Sequence, residues 1–347
     1  MRKLIALILF TCLCSIGNSQ IIKGAVLDRY SQKSINSALV YFNGTSVGVY
    51  TDQYGSFWLD ISDNLSRPLT ISALGYYSLT ISDLKTNKLY KIYLTPKTYE
   101  LNGIFVTSKG NPKERKTNLH TFKREFLGTT MNAKKCEITN EKDITLTNIQ
   151  RDTLIAFVSK SIPVRVDTLK AFSSNPIIIN NKSLGYKIIY YLDKFEYSQM
   201  DKYLLIRGNC IFREDSTNIN RLPIRYEKRR KNAYLGSRTH FLRALWNNEL
   251  DEAGFTVWDS ENLILTYDRM VSQSDSIMGS DTLKYFIYRG KMFIAYSSKI
   301  PKTSVMIEKE RVYFNKERVL DPLGISWYGE MADKRIGDLL PSDYKIK

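Results

Sequence analysis

The sequence predicts a mainly β protein with some α: a seven-stranded antiparallel β-sandwich at the N-terminus, then an α+β domain of antiparallel sheet with one or two helices. Three observations point there. Between residues 21 and 107, short runs of β-branched and aromatic residues alternate with turn signals, and no helical period intervenes. Further β-rich runs recur between 143 and 212, and only 224–250 carries a long helical period. The 347 residues suit two domains, and 43% hydrophobic with 25% charged residues is ordinary globular composition.

Residues 1–19 read as a secretory signal peptide. Arg2 and Lys3 open it, residues 4–14 carry no charge, and Gly17-Asn18-Ser19 places small residues before a cut at Gln20. The apolar run falls short of the about 20 residues of a membrane-spanning helix, so a retained anchor is the weaker reading. Neither Cys12 nor Cys14 follows the small residue of a lipoprotein signal. Export leaves Cys136 and Cys210 in an oxidising compartment. Two readings stand for them, a disulfide or two separate buried thiols, because sequence does not fix the distance between their Cα atoms. The formal charge is +16, and removing Arg2 and Lys3 with the leader leaves +14. In an exported chain this excess points to an anionic lipid headgroup, an acidic glycan or an envelope protein as partner, not to nucleic acid; it also keeps a protein soluble.

The first domain is expected over 20–107. Residues 22–27 alternate and stop at Asp28, and 38–42 close on Asn43-Gly44, a hairpin dipeptide. Residues 46–50 are expected to pair with 57–61 across a loop in which Asp52 bonds downstream amides and Gly55 supplies a positive φ. Runs at 69–73, 77–81, 89–94 and 104–106 complete about seven strands. Asp52 with Asp60 or Asp63 lacks the ligand spacing of a calcium loop, so Asp52 and Gly55 are read as structural turn residues.

Gly24-Ala25-Val26-Leu27-Asp28, Ala38-Leu39-Val40, Thr51-Asp52-Gln53-Tyr54-Gly55-Ser56-Phe57 and Ala73-Leu74-Gly75-Tyr76 together resemble the carboxypeptidase regulatory-like domain. Tyr93-Leu94-Thr95-Pro96 and residues 101–106 match its last strands. The resemblance implies an accessory prealbumin-like sandwich, found beside peptidases and at the front of many outer-membrane and surface proteins. It implies no peptidase activity here, and residues 20–107 contain no histidine to hold zinc.

Residues 108–116 are polar, with Gly110, Pro112 and four basic residues, and read as a linker to a second domain at 117–347. Leu119, Phe122 and Phe126 give 118–135 a helical spacing. Strands are expected at 143–148, 153–159, 164–169, 177–179, 184–192 and 203–212. Pro223 opens the helical stretch 224–250. Tyr234, Leu235, Phe241, Leu242, Leu245 and Trp246 share one broad face, with Arg225, Arg229, His240, Arg243 and Asn247 roughly opposite. Gly236 costs a helix interior about 1 kcal/mol relative to Ala and invites a break into two helices. Arg238 falls within the apolar face and needs a partner there: a carboxylate such as Glu249, backbone carbonyls, or an anionic ligand. Arg229, Arg238, His240 and Arg243 are thus the candidate binding residues.

Several segments of this domain resemble a set of exported bacterial proteins with the same domain order. They are Phe126-Leu127-Gly128-Thr129-Thr130, Asn132-Ala133-Lys134-Lys135-Cys136, Asn181-Lys182-Ser183-Leu184-Gly185-Tyr186, the run 229–241, residues 321–325, Trp327-Tyr328-Gly329 and Asp338-Leu339-Leu340-Pro341. That resemblance implies the domain order and no particular activity.

The chemistry open to the chain is narrow. His120 and His240 are its two histidines, and H-x-x-x-H and C-x-x-C are absent, so no metal or cofactor is expected. There is no G-x-S-x-G nucleophile elbow and no phosphate-cradling glycine loop. Glu249, Asp251 and Glu252 are the carboxylates that a glycoside-cleaving pair would draw on, although charges after a helix are usually solvated. The 23 tyrosines suit a surface that stacks on sugars or peptides, and sheets favour tyrosine in any case. The expectation is an exported accessory or structural binding protein, periplasmic or associated with the outer membrane or cell surface. Its first domain would not catalyse, and its second would engage an anionic, glycan or protein partner. The rival is a hydrolase of unfamiliar type, working in the second domain through carboxylates with Arg238 or His240. A cleft joining His240, Arg243 and an acidic residue favours the rival; a broad basic or aromatic face favours the binder.

Overall fold

A computed structural model describes residues 20–346 apart from 63, 65, 66, 83, 87, 98–110, 158, 159, 202, 215–222, 279, 280, 316–318 and 320–323. The expected leader, the expected strand at 104–106 and the segment 321–323 lie outside the described residues. The protein is mostly β, with 44% strand, several antiparallel sheets and five α-helices among the described residues. Two compact units form, one within Met1–Phe42 and Gly48–Lys97, the other within Asn43–Val47 and Thr98–Lys347.

The first unit is a β-sandwich of seven described strands: β1 (Ile21–Asp28), β2 (Leu39–Phe42), β3 (Gly48–Tyr50), β4 (Ser56–Asp60), β5 (Leu69–Ser72), β6 (Leu79–Ile81) and β7 (Leu89–Leu94). One sheet runs β4-β1-β7 and the other β3-β2-β5-β6. The antiparallel expectation holds except for β1 and β7, which pair in parallel. Period-two alternation drives Ile22, Val26, Phe57, Leu59, Tyr90, Ile92 and Leu94 into the core. Gly24 fills the inward position where a Cβ would come within 2.4 Å of the Tyr90 carbonyl oxygen, so only glycine lets β1 and β7 close.

The expected hairpin between 46–50 and 57–61 does not form. β3 pairs β2 across Asn43-Gly44, whereas β4 pairs β1 in the other sheet. The cause is local. Thr51 is buried, its hydroxyl donating to the Ile35 carbonyl (2.7 Å) and accepting from the Ala38 amide (2.8 Å), which ends β3. Asp52 Oδ1 then accepts from the amides of Tyr54 (2.9 Å) and Ser56 (2.8 Å), and Gly55 turns at φ +72°. The Gly55 carbonyl takes the Val26 amide at 2.8 Å, which delivers β4 to β1.

In the second unit, α1 (Pro112–Leu127) starts at Pro112, with Asn111 accepting from the amides of Lys113 and Glu114. Residues 112–116, expected as linker, are therefore its first turn. The helix stops at Leu127 because Gly128 adopts φ +98°, and Ala133–Lys135 is a separate 3-10 turn. Phe122 and Phe126 pack fully buried on a six-stranded sheet. Its strands are β8 (Cys136–Ile138), β9 (Ile144–Phe157), β10 (Lys160–Ser173), β11 (Ile177–Asn181), β12 (Tyr186–Ser198) and β13 (Tyr203–Glu214), in the order β8-β11-β12-β10-β9 with β13 along β12. The two strands expected at 143–148 and 153–159 are one, since β9 pairs β10 without interruption from Ile144–Ser173 to Phe157–Lys160. The polar stretch between them does not break backbone pairing. Asn43–Val47 covers part of the outer edge of β13: Gly44 N–H donates to Cys210 O and Phe212 N–H to Thr45 O.

Cys136 and Cys210 are free thiols, the first half-buried and the second buried. Cys136 is on β8 and Cys210 on β13, with β11 and β12 between. Three strand spacings amount to about 14 Å, beyond the reach of a disulfide.

The chain after residue 250, where no strand is expected from sequence, forms most of a second core. It contains β14 (Phe255–Trp258), β15 (Val271–Met278), β16 (Asp281–Phe286), β17 (Gly290–Tyr296), β18 (Thr303–Ile307), β19 (Val312–Phe314) and β20 (Ile325–Gly329). These make the sheets β14-β17-β18-β20 and β15-β16-β19. The helical stretch splits at Gly236, as its glycine invited, into α2 (Pro223–Tyr234) and α3 (Arg238–Asn247). Ala233 of α2 lies in the first core, while Phe241, Leu242, Ala244 and Leu245 of α3 lie in the second. Two short helices, α4 (Tyr267–Met270) and α5 (Glu330–Asp333), complete the unit.

Candidate functional site

The break between α2 and α3 decides where the candidate residues go. Gly236 turns at φ +64°, and Ser237 caps α3 by accepting the His240 amide at 3.2 Å. The helical phase restarts there, so Arg229, His240 and Arg243 do not form the continuous stripe expected of one helix.

Each candidate arginine is held by backbone carbonyls of its own chain. Arg229 Nη1 donates to Ser183 O at 3.2 Å, and its neighbour Arg230 donates through Nε to Leu184 O at 2.9 Å and through Nη1 to Glu214 Oε1 at 2.9 Å. The Arg230 guanidinium also lies 4.0 Å above the Tyr186 ring. Arg243 donates to Tyr344 O (3.0 Å), Ser342 O (2.6 Å) and the Tyr234 hydroxyl (3.3 Å). Arg238 donates to Met331 O at 2.9 Å and stacks 5.4 Å from the Trp327 ring. Burial, with Arg335 nearby, pulls its pKa down to about 10. Of the partners expected for Arg238, the backbone carbonyl is the one present, whereas Glu249 takes Asn247 Nδ2 at 3.0 Å.

His240 sits among rings, 4.9 Å from both Tyr234 and Phe255 and 5.4 Å from Tyr296. Its Nδ1 accepts the Gly236 amide at 3.2 Å. Burial, then the charges of Lys334 and Arg243, push its pKa down to about 4, which keeps the imidazole neutral. Lys334 itself closes the end of α2, donating to Leu235 O at 2.7 Å and Ala233 O at 3.3 Å. The groups acting on His240 are thus rings and cations.

The segments singled out at 126–136, 181–186 and 338–341 meet at one buried polar knot. Asp338 Oδ2 accepts from Thr130 Oγ1 (2.6 Å) and Oδ1 from Asn132 Nδ2 (2.8 Å). Ser183 Oγ donates to Asn132 Oδ1 (2.6 Å), and Asn181 Nδ2 donates to Gly337 O (2.9 Å). Asn181 Oδ1 accepts the amides of Ser183 and Leu184. Burial, followed by the Asp338 charge, pushes the Cys136 thiol up to about 12, so it is no nucleophile at neutral pH. Polar groups satisfied by one another in this way fix three chain segments together. Among the described residues no group of three or more His, Cys, Asp or Glu could hold a metal ion.

What α2 leaves in solvent is different. Arg225, Lys228 and Lys231 are exposed at i, i+3 and i+6, while Tyr226, Arg229 and Arg230 turn toward residues 183–186. Lys228 and Lys231 were missed in the sequence because α2 and α3 were read in one phase; the three-residue spacing of cations was the signal.

Residues 22–106 match the model of the CarboxypepD_reg-like domain, and the N-terminal sandwich is a carboxypeptidase regulatory-like domain. No curated protein matches the chain. Among solved structures, a Bacteroides fragilis protein of unknown function is 13% identical over 50% of this chain and 64% of its own, with a TM-score of 0.18. A 9R-lipoxygenase from Cyanothece is 12% identical over 68% of this chain and 48% of its own, with a TM-score of 0.19. The chain therefore spans less than two thirds of either, and likenesses at these scores do not bear on fold or activity.

Proposed function

We propose that this chain is an exported, envelope-associated accessory binding protein, periplasmic or at the outer membrane or cell surface. Its carboxypeptidase regulatory-like sandwich serves as an accessory docking module without catalysis, and its second unit engages an anionic glycan, lipid or protein partner. The observation that carries this reading is the exposed stripe Arg225, Lys228 and Lys231 on α2. It is backed by a helix that Arg229 and Arg230 bind to residues 183–185, so the stripe is presented on a fixed support. The formal excess of cations, +16 over the whole chain, gives the same sign of partner. The apolar leader-like segment 1–19 supports export, and no helix among the described residues is long and apolar enough to cross a membrane. Burial and the charges of Lys334 and Arg243 hold His240 well below the usual histidine range, which makes its imidazole a weak general base.

The test is a pull-down from detergent-solubilised envelope with tagged residues 20–347, alongside the Arg225→Glu/Lys228→Glu/Lys231→Glu variant. A defined lipid, glycan or protein recovered by the wild type and absent from the variant is the expected result. Equal recovery by both would remove the stripe from the account, and recovery of nothing would remove binding.

A further inference from the structure

The outer face of the sheet β4-β1-β7 is a second surface with its own chemistry, confined to the first unit. Register places Trp58 and Leu89 on either side of Lys23, Lys91 beside Ala25, and Tyr93 beside Leu27. Trp58 is 68% exposed and Leu89 70%, and the two lysines are exposed as well. The carboxylate at the rim, Asp60, is turned to Ser62, accepting its amide at 3.0 Å and its hydroxyl at 2.6 Å. The inner face of the same strands is buried, and β2 and β5 of the other sheet are buried along their whole length. Trp58 and Leu89, paired on either side of Lys23, thus place two large apolar groups in solvent on this face.

We propose that this face docks on an anionic lipid surface. Lysines are depleted from the centres of protein–protein interfaces, yet Lys23 stands between Trp58 and Leu89 across the sheet, and Lys91 between Leu89 and Tyr93 along the edge strand β7. A lipid surface accommodates that arrangement. Tryptophan and tyrosine rings sit at headgroup depth, leucine enters the acyl boundary, and each lysine buries its stem while its ammonium reaches a phosphate. Two lysines against the one carboxylate of Asp60 leave the face with an excess positive charge among apolar groups, complementary to a negative headgroup layer. The inference rests on the envelope location proposed above for its setting, but not on the α2 stripe.

The experiment is co-sedimentation of residues 20–347 with phosphatidylcholine vesicles, with and without about 30 mol% phosphatidylglycerol. Three variants are compared: Lys23→Gln/Lys91→Gln, Trp58→Ser/Leu89→Ser, and Arg225→Ser/Lys228→Ser/Lys231→Ser. Each cation near an anionic surface is worth about fivefold in affinity, so the double lysine variant should bind the anionic vesicles about 25-fold more weakly. Trp58→Ser/Leu89→Ser should abolish binding, and the α2 variant should bind like the wild type. Circular dichroism matching the wild type confirms that the exposed substitutions leave the fold intact. Absence of wild-type binding to anionic vesicles overturns the proposal, as does wild-type affinity in both face variants. Loss of vesicle binding in the α2 variant alone also overturns it, while leaving the reading of the second unit in place. Vesicle binding through the sandwich face together with an empty envelope pull-down would support this proposal and defeat that of the α2 stripe.

Discussion

His240 shows how much one residue's role depends on where its helix begins. Counted along a single helix from 224 it belongs with the arginines, but counted from the Ser237 cap it falls between Tyr234, Phe255 and Tyr296. Its pKa, pushed down to about 4 from an ordinary value near 6.5, ties stability to pH. Between those two values the unfolded chain binds a proton that the folded chain refuses. This contribution is complete above about pH 6.5 and is lost as pH falls toward 4. The unfolding free energy of the second unit, read from urea titration, should therefore decline over that range by about 1–3 kcal/mol attributable to this residue. His240→Phe, which keeps a ring in the pocket, should flatten the decline. An unchanged slope in the variant would show that His240 titrates normally. The arginines teach a related lesson: the sequence showed that Arg238 needed a partner, but a carbonyl contributed from Met331 leaves no local signature.

Among the elements, those with strong alternation or clear punctuation were legible. β1 and β7 lie close to the expected runs because buried residues repeat with period two, and β2 and β5, buried along their length, because short β-branched and aromatic runs stand between turn residues. The β3–β4 pairing was misread because Asp52 and Gly55 mark a turn without saying whether the chain returns to the same sheet; the buried Thr51 decides that. The linker boundary was misread because Pro112 signals either a loop or the first position of a helix, and Asn111 makes it the latter. The cysteines were left open by sequence and separated by strand order, Cys136 on β8 and Cys210 on β13. Residues 20–347, prepared without reductant, denatured and treated with iodoacetamide, should thus take up two alkyl groups by mass spectrometry. Under native conditions uptake should be slow, since burial first of all pushes both thiols up to about 12. A denatured chain that takes up none would mean the two sulfurs are bonded.

On the scale of the whole molecule, the second unit combines two hydrophobic cores, one around Phe122, Phe126 and Phe195 and the other around Phe241, Phe255 and Phe314. The helical stretch 223–247 supplies side chains to both, and Arg229, Arg230, Arg238 and Arg243 are turned to backbone carbonyls. The polar knot at Asp338 joins segments as far apart in sequence as Thr130 and Asp338, a convergence that no local pattern predicts. What the helical stretch itself offers a partner is the solvent side of α2, and a contact made there by exposed cations must weaken with ionic strength, since the screening length shrinks from about 10 Å at 0.1 M salt to about 3 Å at 1 M. The most direct test of that claim is the salt dependence of envelope-partner capture by immobilised residues 20–347. Wild-type capture should fall steeply as sodium chloride rises, and the Arg225→Glu/Lys228→Glu/Lys231→Glu variant should fail at any salt to capture the partner that the wild type holds through α2. Wild-type capture that stays constant from low to high salt would contradict it.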